Sequence, residues 1–403
     1  MIQPDSRDIV RTFTFLPMES VVSGSGSVAR LGSLLASMNV KRALLITGPT
    51  LFGNAALMMR VKQASEGRIV GVFSESRPHV PRGAVLAAVR LARELHCDGL
   101  VSFGGGSPND TAKAVGMALA EGLDAIGDFD RLAARFTYPD EVVVPQIAGD
   151  VPPIVAIPTT LSAGEFTHFA GVTSEELKVK QLYIDAKMTA RVVILDPELT
   201  LDTPSWLWSS TGIRSVDHAV EALCSSSAHP YTDGLALHAL RILSTDLRRC
   251  HADPSDVSAR LQCQIGAWIS VCGLANVTLG LSHGIGHQLG ARCGVPHGLT
   301  SCVMMGEVMR FNRAHIGMRA SWILGALGEP ATGQKDNDGL AAARAIETLI
   351  SDLGQPTRLR DVGVTPDQFS DLATDALEDL IVATNARPVT SRQELVELLE
   401  RAY

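Results

Sequence analysis

The β signal in this chain stops at Pro197. Before it, short apolar runs alternate with helical patterns. RTFTF (11–15), RALLITG (42–48), DGLVSFGGG (98–106), PPIVAIPTT (152–160) and ARVVILDP (190–197) read as strands, and Val85–Leu95 carries apolar residues at helical spacing. Strands that are apolar throughout and separated by helices belong to a parallel sheet covered on both faces. After Pro197 the segments SWLWSSTGIRSVDHAVEALCSS, TDGLALHALRILSTDLRRC, SDVSARLQCQIGAWISVCGLANV, GLTSCVMMGEVMRF, GLAAARAIETLISDL and SRQELVELLERAY all repeat with the period of a helix. A length of 403 residues exceeds one ordinary core. The sequence therefore predicts an α/β domain over 1–197 and an all-helical domain over 198–403.

The remaining composition narrows the function classes. A net charge of −8 with no Lys/Arg block excludes a nucleic-acid groove. The seven cysteines are scattered and form no CxxC pair, as expected of reduced thiols in a cytoplasmic protein. MIQPDSRDIVRTFTF has no basic stretch followed by an apolar run, so no secretory signal is expected. No run of about 18 apolar residues is available to span a bilayer. Only 5% of residues are aromatic, so the cores must be aliphatic; SWLW and VMMGEVM are expected to pack the helical one.

FGGGSPNDTAKAVG (103–116) ends a strand and opens a helix. Its glycines let the backbone approach a ligand closely, and Ser107 with the free N–H groups of the new helix faces an anion. Pro108 suits the first turn, where an N–H has no partner anyway. The loop departs from GxGxxG, and a ligand-free tight turn is the competing reading. GSGSVARLG (24–32) reads as a turn capping the next helix. IPTTLSAGEFTH (157–168) ends another strand with Thr159 and Thr160, hydroxyls that suit a cofactor phosphate or ribose as well as an ordinary turn.

LSHGIGHQLGARCGVPHG (281–298) carries three histidines. His283 and His287 are four apart and share a helix face, and His297 opens the next helix after a GVP turn. TGIRSVDHAVEALC (211–224) adds His218, which shares a face with Arg214 and Glu221, while Asp217 points about 100° away. Such imidazoles suit a divalent metal or proton transfer. A helical two-ligand motif wants a carboxylate at 214, and that position is arginine. His229, His238, His251 and His315 sit in no motif and read as surface or packing residues.

Together GGGSPNDTAK, IPTT…GE, ILDPELT, GIRSVDHAVEA, HGIGH and VPHG resemble, in order, the iron-containing (group III) alcohol dehydrogenases and their relatives the maleylacetate reductases, over about residues 13–312. The resemblance implies that 1–197 is a dinucleotide-binding domain and 198–403 the substrate domain, with a cleft between them that holds nicotinamide and substrate. It implies cofactor contacts at Gly105, Gly106, Ser107, Asp110, Thr159 and Thr160, with Lys180 near a lysine that reaches the cofactor. The family binds its metal with one Asp and three His; the histidines map onto His218, His283 and His297, and His287 maps beside substrate and nicotinamide. The ligand aspartate maps onto Arg214, which presents only donors. PTTLSAGE also lacks the Gly-x-Gly-Ser-Glu turn of the metal-dependent members. In both respects the chain looks more like maleylacetate reductase. The strand end ITGPT has no carboxylate to repel a 2′-phosphate, so either NADH or NADPH is expected.

The expectation is thus a metal-independent, NAD(P)H-dependent reductase of a small anionic unsaturated oxo-acid, in a homodimer, of the kind used in degrading aromatic compounds. Its candidate catalytic residues are His287, His218, His283, His297 and Arg214. The alternatives are an iron- or zinc-dependent alcohol or aldehyde dehydrogenase, in which His218, His283 and His297 hold the metal, and a nucleotide-binding member with altered or no redox chemistry. The extra segment ARFTYPDEVVVPQIAGDVPP (134–153) is expected near the pocket entrance.

Overall fold

The computed structural model describes residues 12–137, 141–176 and 179–403. Its strands are β1 (Ser20–Ser23), β2 (Ala43–Thr47), β3 (Ile69–Phe73), β4 (Gly99–Gly104), β5 (Arg135–Thr137), β6 (Glu141–Val143), β7 (Ile154–Pro158), β8 (Phe169–Ser174), β9 (Val179–Ile184) and β10 (Val192–Leu195). Six of them form one parallel sheet in the order β1-β10-β7-β4-β2-β3. β2, β4, β7 and β10 are buried at every residue, which explains their unbroken apolar sequences. Helices α1 (Leu31–Ser37), α2 (Pro49–Phe52), α3 (Ala55–Ala64), α4 (Arg82–Glu94) and α5 (Gly106–Ala120) accompany the sheet. The strand order reverses between β2 and β4, so their carboxyl ends frame the crevice where open α/β sheets bind ligands.

RTFTF does not form the expected strand. Arg11 lies outside the described residues, and Thr12–Phe15 are irregular. Thr14 exchanges two hydrogen bonds with the Asn276 side chain instead, and Phe13 and Phe15 pack on Tyr231. The sheet edge beside β10 is taken by β1. GSGSVARLG does lead into a helix: its Gly26 and Val28 N–H groups donate to Asp196 before α1 begins. Segment 134–153 supplies the hairpin β5–β6, and Ala134 N–H donates to Leu182 O of β9.

The helical half comprises α6 (Ser205–Cys224), α7 (Pro230–Ala252), α8 (Val257–Val271), α9 (Leu281–Cys293), α10 (His297–Asn312), α11 (Arg319–Leu327), α12 (Lys335–Asp352), α13 (Phe369–Leu377), α14 (Leu380–Ala383) and α15 (Arg392–Ala402). α6 is its axis, packed by α7, α8 and α10, and every residue from Trp208 to Cys224 is buried. Its polar residues therefore cannot face water and must find partners inside the protein. Met304, Met305 and Met309 join the core as expected, but of SWLW only Trp208 does; Trp206 is 49% exposed. His229 caps α7, its Nδ1 accepting from Tyr231 N–H. Among the described residues no helix is long and apolar enough to cross a membrane.

Candidate active site

One wall of the site is made by backbone. β4 runs into Gly104, whose φ of 143° is open only to glycine, and α5 starts two residues later with no side-chain cap and no acidic residue in its first turn. A Cβ on Gly105 would lie 3.0 Å from Thr160 Oγ1, so the loop after β7 presses directly on the glycine turn. Thr159 N–H donates to Gly104 O at 2.9 Å. Gly105, Gly106, Ser107, Thr159 and Thr160 are thus brought together, and the bare helix N-terminus presents its N–H groups and positive dipole end to an anion. These features fit the pyrophosphate of a dinucleotide.

The sequence reading did not single out Lys113, one turn beyond Asp110. Its ammonium is buried and donates to Gly164 O, Thr167 O, Thr167 Oγ1 and Phe169 O at 2.6–3.1 Å. It ties α5 to the loop after β7. Burial pulls its pKa down to about 8 against the attraction of Asp110 and Glu165, and burial pushes Glu165 up to about 7. Asp110 accepts from Gly171 N–H at 3.2 Å, and burial raises its pKa while Lys180 and Lys113 counteract. Lys180 pairs with Thr173 in the β8–β9 hairpin. Burial lowers its pKa, with Arg214 acting in the same direction and Asp110 against.

The other wall is made by side chains of α6, α9 and α10. The turn between α9 and α10 works through Gly294, left-handed at φ 66°, which lets Val295 N–H reach back to Leu289 O and sets His297 at the next N-terminus. His218 and His283 have ring centroids 4.8 Å apart; His287 and His297 stack at 6.2 Å with 7° between planes. The first pair is buried. His297 is open to solvent yet ringed by charged and imidazole groups, as a residue lining a water-filled cleft would be; Lys180 shows the same combination.

One ring of each pair is fixed by a carboxylate. Glu221 Oε1 accepts from Ser282 N–H, and its Oε2 from Gly280 N–H and from His283 Nδ1 at 2.7 Å. With Glu221 ionised, His283 Nδ1 is the protonated nitrogen, and its buried Nε2, which has no partner among the described residues, carries the lone pair. His287 Nδ1 lies 2.9 Å from Asp379 Oδ2, the carboxylate that also caps α14. Asp379 is 92 residues from His287 in sequence and no local pattern announces it.

Arg214 is 3% exposed and donates to Ser301 Oγ at 2.9 Å; Ser301 in turn donates to Asp217 Oδ2 at 2.6 Å. Asp217 also accepts from Ser282 Oγ at 2.6 Å, so its carboxylate serves α9 and α10 and lies 3.9 Å from the guanidinium. Burial draws the Arg214 pKa down to about 10, against the pull of Asp217 and Glu221, which leaves it charged near neutral pH. Burial is the main cause that holds His218 and His283 far below the ordinary imidazole range, enclosure between the two walls acts the same way on the solvent-open His297, and the Arg214 charge adds to it in all three. The three imidazoles are neutral and gathered around one guanidinium. Asp217, Glu221 and His283 also bring one donor atom each within 4.8 Å of one another. Both Glu221 oxygens, Asp217 Oδ2 and His283 Nδ1 are engaged in the hydrogen bonds just described, whereas Asp217 Oδ1 and His283 Nε2 have no partner among the described residues.

The two family models that match are the iron-containing alcohol dehydrogenase over residues 18–197 and the Fe-containing alcohol dehydrogenase family, C-terminal, over 209–403. The chain is 33% identical to an NAD-dependent methanol dehydrogenase of Bacillus methanolicus, across 96% of this chain and 99% of that protein. It is 31% identical to a 1,3-propanediol dehydrogenase of Citrobacter freundii, across 98% and 99%. A solved 1,3-propanediol oxidoreductase superposes with a TM-score of 0.89 at 29% identity, covering 98% of this chain and 100% of that one. A maleylacetate reductase from Agrobacterium tumefaciens gives 0.78 at 25%, covering 98% and 99%. The sequence relatives thus carry alcohol dehydrogenase names, and maleylacetate reductase stands further off, as a structural neighbour. The chain belongs to the iron-containing alcohol dehydrogenase family, whose members are NAD-dependent oxidoreductases.

Proposed function

We propose that this protein is an NAD(P)H-dependent reductase of a small carboxylate bearing an activated double bond, and that it works without a resident metal. The observation that carries the reading is Arg214. The metal-dependent members would place a carboxylate ligand here, and this chain places a buried guanidinium whose charge already acts on His218, His283 and His297. A divalent cation among those imidazoles would meet a fixed positive charge and one ligand fewer, so the donor set does not fit the metal.

The nicotinamide cofactor, when bound, supplies a hydride. Hydride addition to one carbon of a conjugated C=C bond leaves negative charge on the attached carbonyl oxygen, and the other carbon then takes a proton. Arg214 binds the substrate carboxylate and, as a buried and preorganised cation, stabilises the developing charge. Ser301 and Asp217 hold it in place without cancelling it by direct contact. His287 donates the proton from Nε2, with its ring oriented through Nδ1 by Asp379. His283 and His218 contribute neutral imidazole walls, the first locked in one tautomer by Glu221. Gly105, Gly106, Ser107, Asp110, Thr159, Thr160 and Lys180 hold the cofactor.

The deciding experiment measures NADH and NADPH oxidation by the purified protein with short oxo-enoic acids, aldehydes and primary alcohols, alongside elemental analysis. Turnover of acids by protein with far less than one metal ion per chain, unchanged by chelator, supports the reading. Stoichiometric iron or zinc with activity lost on chelation overturns it. That outcome would favour a metal-dependent alcohol dehydrogenase, the reading to which the relatives' names and the unpartnered His218 Nδ1, His283 Nε2 and Asp217 Oδ1 point.

A further inference from the structure

His79 and Val80 are consecutive residues with left-handed backbone, at φ 64° and 51°. That conformation is unfavourable for any residue with a side chain, most of all for a β-branched valine. It is held from two sides. Val80 is 2% exposed in the core of the α/β domain. Thr173 of β8 donates its hydroxyl to His79 O at 2.7 Å and its N–H to Val80 O at 2.9 Å.

The effect of this arrangement is to carry an imidazole across to the helical wall. His79 Cε1 lies 3.9 Å from where a Cβ on Gly290 would be. Gly290 is three residues beyond His287, on the stripe of α9 that bears His283 and His287. The His79 ring is exposed to solvent and adjoins Lys180; partial burial first, and the Lys180 charge second, lower its pKa. A neutral imidazole still carries one N–H.

We propose that His79 is a specificity-determining residue, whose ring N–H donates to the substrate carboxylate from the α/β side of the cleft while Arg214 holds the substrate from the helical side. This rests on the carboxylate reading above. The strained pair keeps the donor in place before substrate arrives, which reduces the ordering cost of binding.

The test compares wild type, His79→Asn and Thr173→Val. Asparagine tolerates a left-handed backbone, so the first variant removes the imidazole without adding strain. The second keeps the imidazole and removes only the hydroxyl that holds its carbonyl. The readouts are kcat/KM for a short oxo-enoic acid and for its methyl ester, and the NADH Kd from fluorescence titration. His79→Asn is expected to lower the acid-over-ester preference roughly tenfold or more, the worth of a hydrogen bond to a charged group, with the NADH Kd unchanged. Thr173→Val is expected to raise KM for the acid several-fold with little change in kcat. Equal losses on acid and ester, an effect confined to the NADH Kd, or no effect in either variant overturns the proposal. A wild type indifferent to acid and ester removes the carboxylate reading and this inference with it. A wild type that prefers the acid, with His79→Asn retaining the whole preference, removes this inference alone.

Discussion

On the nucleotide side the cleft wall is backbone: a glycine turn, a helix N-terminus and two strand ends, braced from behind by one buried ammonium. On the helical side it is side chains: one guanidinium, four imidazoles and the carboxylates that orient them. The first construction suits the pyrophosphate of any dinucleotide, and few substitutions at its surface would alter that. The second depends on single residues, and a change at one position can alter the chemistry. On the proposed reading, this chain departs from the metal-dependent members in the second wall, at Arg214, and not in the first.

Substitution of Arg214 tests that asymmetry most severely. Arg214→Ala is expected to lower kcat/KM for oxo-enoic acids on the order of 10²–10³-fold, the scale of losing one partner of a buried charged contact. The cofactor Kd should move little. Arg214→Asp restores the ligand type of the metal-dependent members beside His218, His283 and His297, and should bring zinc or iron to about one ion per chain by elemental analysis. If Arg214→Asp stays metal-free, the helical wall has diverged at more than this residue.

Within the same wall, His287→Asn is expected to cost about 10²-fold in kcat, as for loss of a proton donor, and Asp379→Asn about tenfold. Both should be read on the protonation step: a solvent deuterium isotope effect that grows in the variants supports the role. Unchanged kcat in His287→Asn would transfer the proton to another residue of the cleft.

Legibility in the sequence follows the same division. The parallel strands show because burial on both faces leaves unbroken apolar runs such as ALLI (43–46). The glycine turn shows because backbone constraints restrict which residues fit. β1 and the pair β8–β9 do not, since strands of mixed polarity resemble loops, and RTFTF has a strand's composition but no sheet edge to join. In the helical wall, His283 and His287 are legible by spacing. Glu221 shows only as a neighbour of His218 on one face, and its role for His283 needs α6 and α9 side by side. Lys113, Asp379 and His79 act through contacts 51, 92 and 94 residues away in sequence, which no local period encodes.

The bracing of the nucleotide wall has its own signature in pH. Glu165 is buried and its folded pKa is about 7, above the ordinary 4.5. The folded state therefore binds the extra proton between those values. The stabilisation is fully present below the ordinary value and is lost as pH rises through about 7. Glu165→Gln removes this dependence. Relative to that variant, wild type should lose on the order of 3 kcal/mol or less between about pH 5 and pH 8, measured by urea unfolding at each pH. A constant difference would mean that Glu165 ionises normally, in contact with Lys113.

The most selective effect expected lies at the edge of the same wall, where the dinucleotide would be chosen. β2 ends at Thr47 and Gly48 follows, without the carboxylate that would repel a 2′-phosphate. Gly48 is extended, with φ −92° and ψ 163°, and an added Cβ would meet only Ser76 O at an ordinary 3.6 Å. Gly48→Asp should therefore fold as wild type does. It should lower kcat/KM for NADPH by roughly tenfold, through like-charge repulsion at a solvated site, and leave NADH within about twofold. Because the substitution touches no group on the helical wall, the acid-over-ester preference should not move. If it does, the two walls are coupled through the bound dinucleotide, and the division between a general backbone wall and a specific side-chain wall would have to be redrawn as one cooperative site.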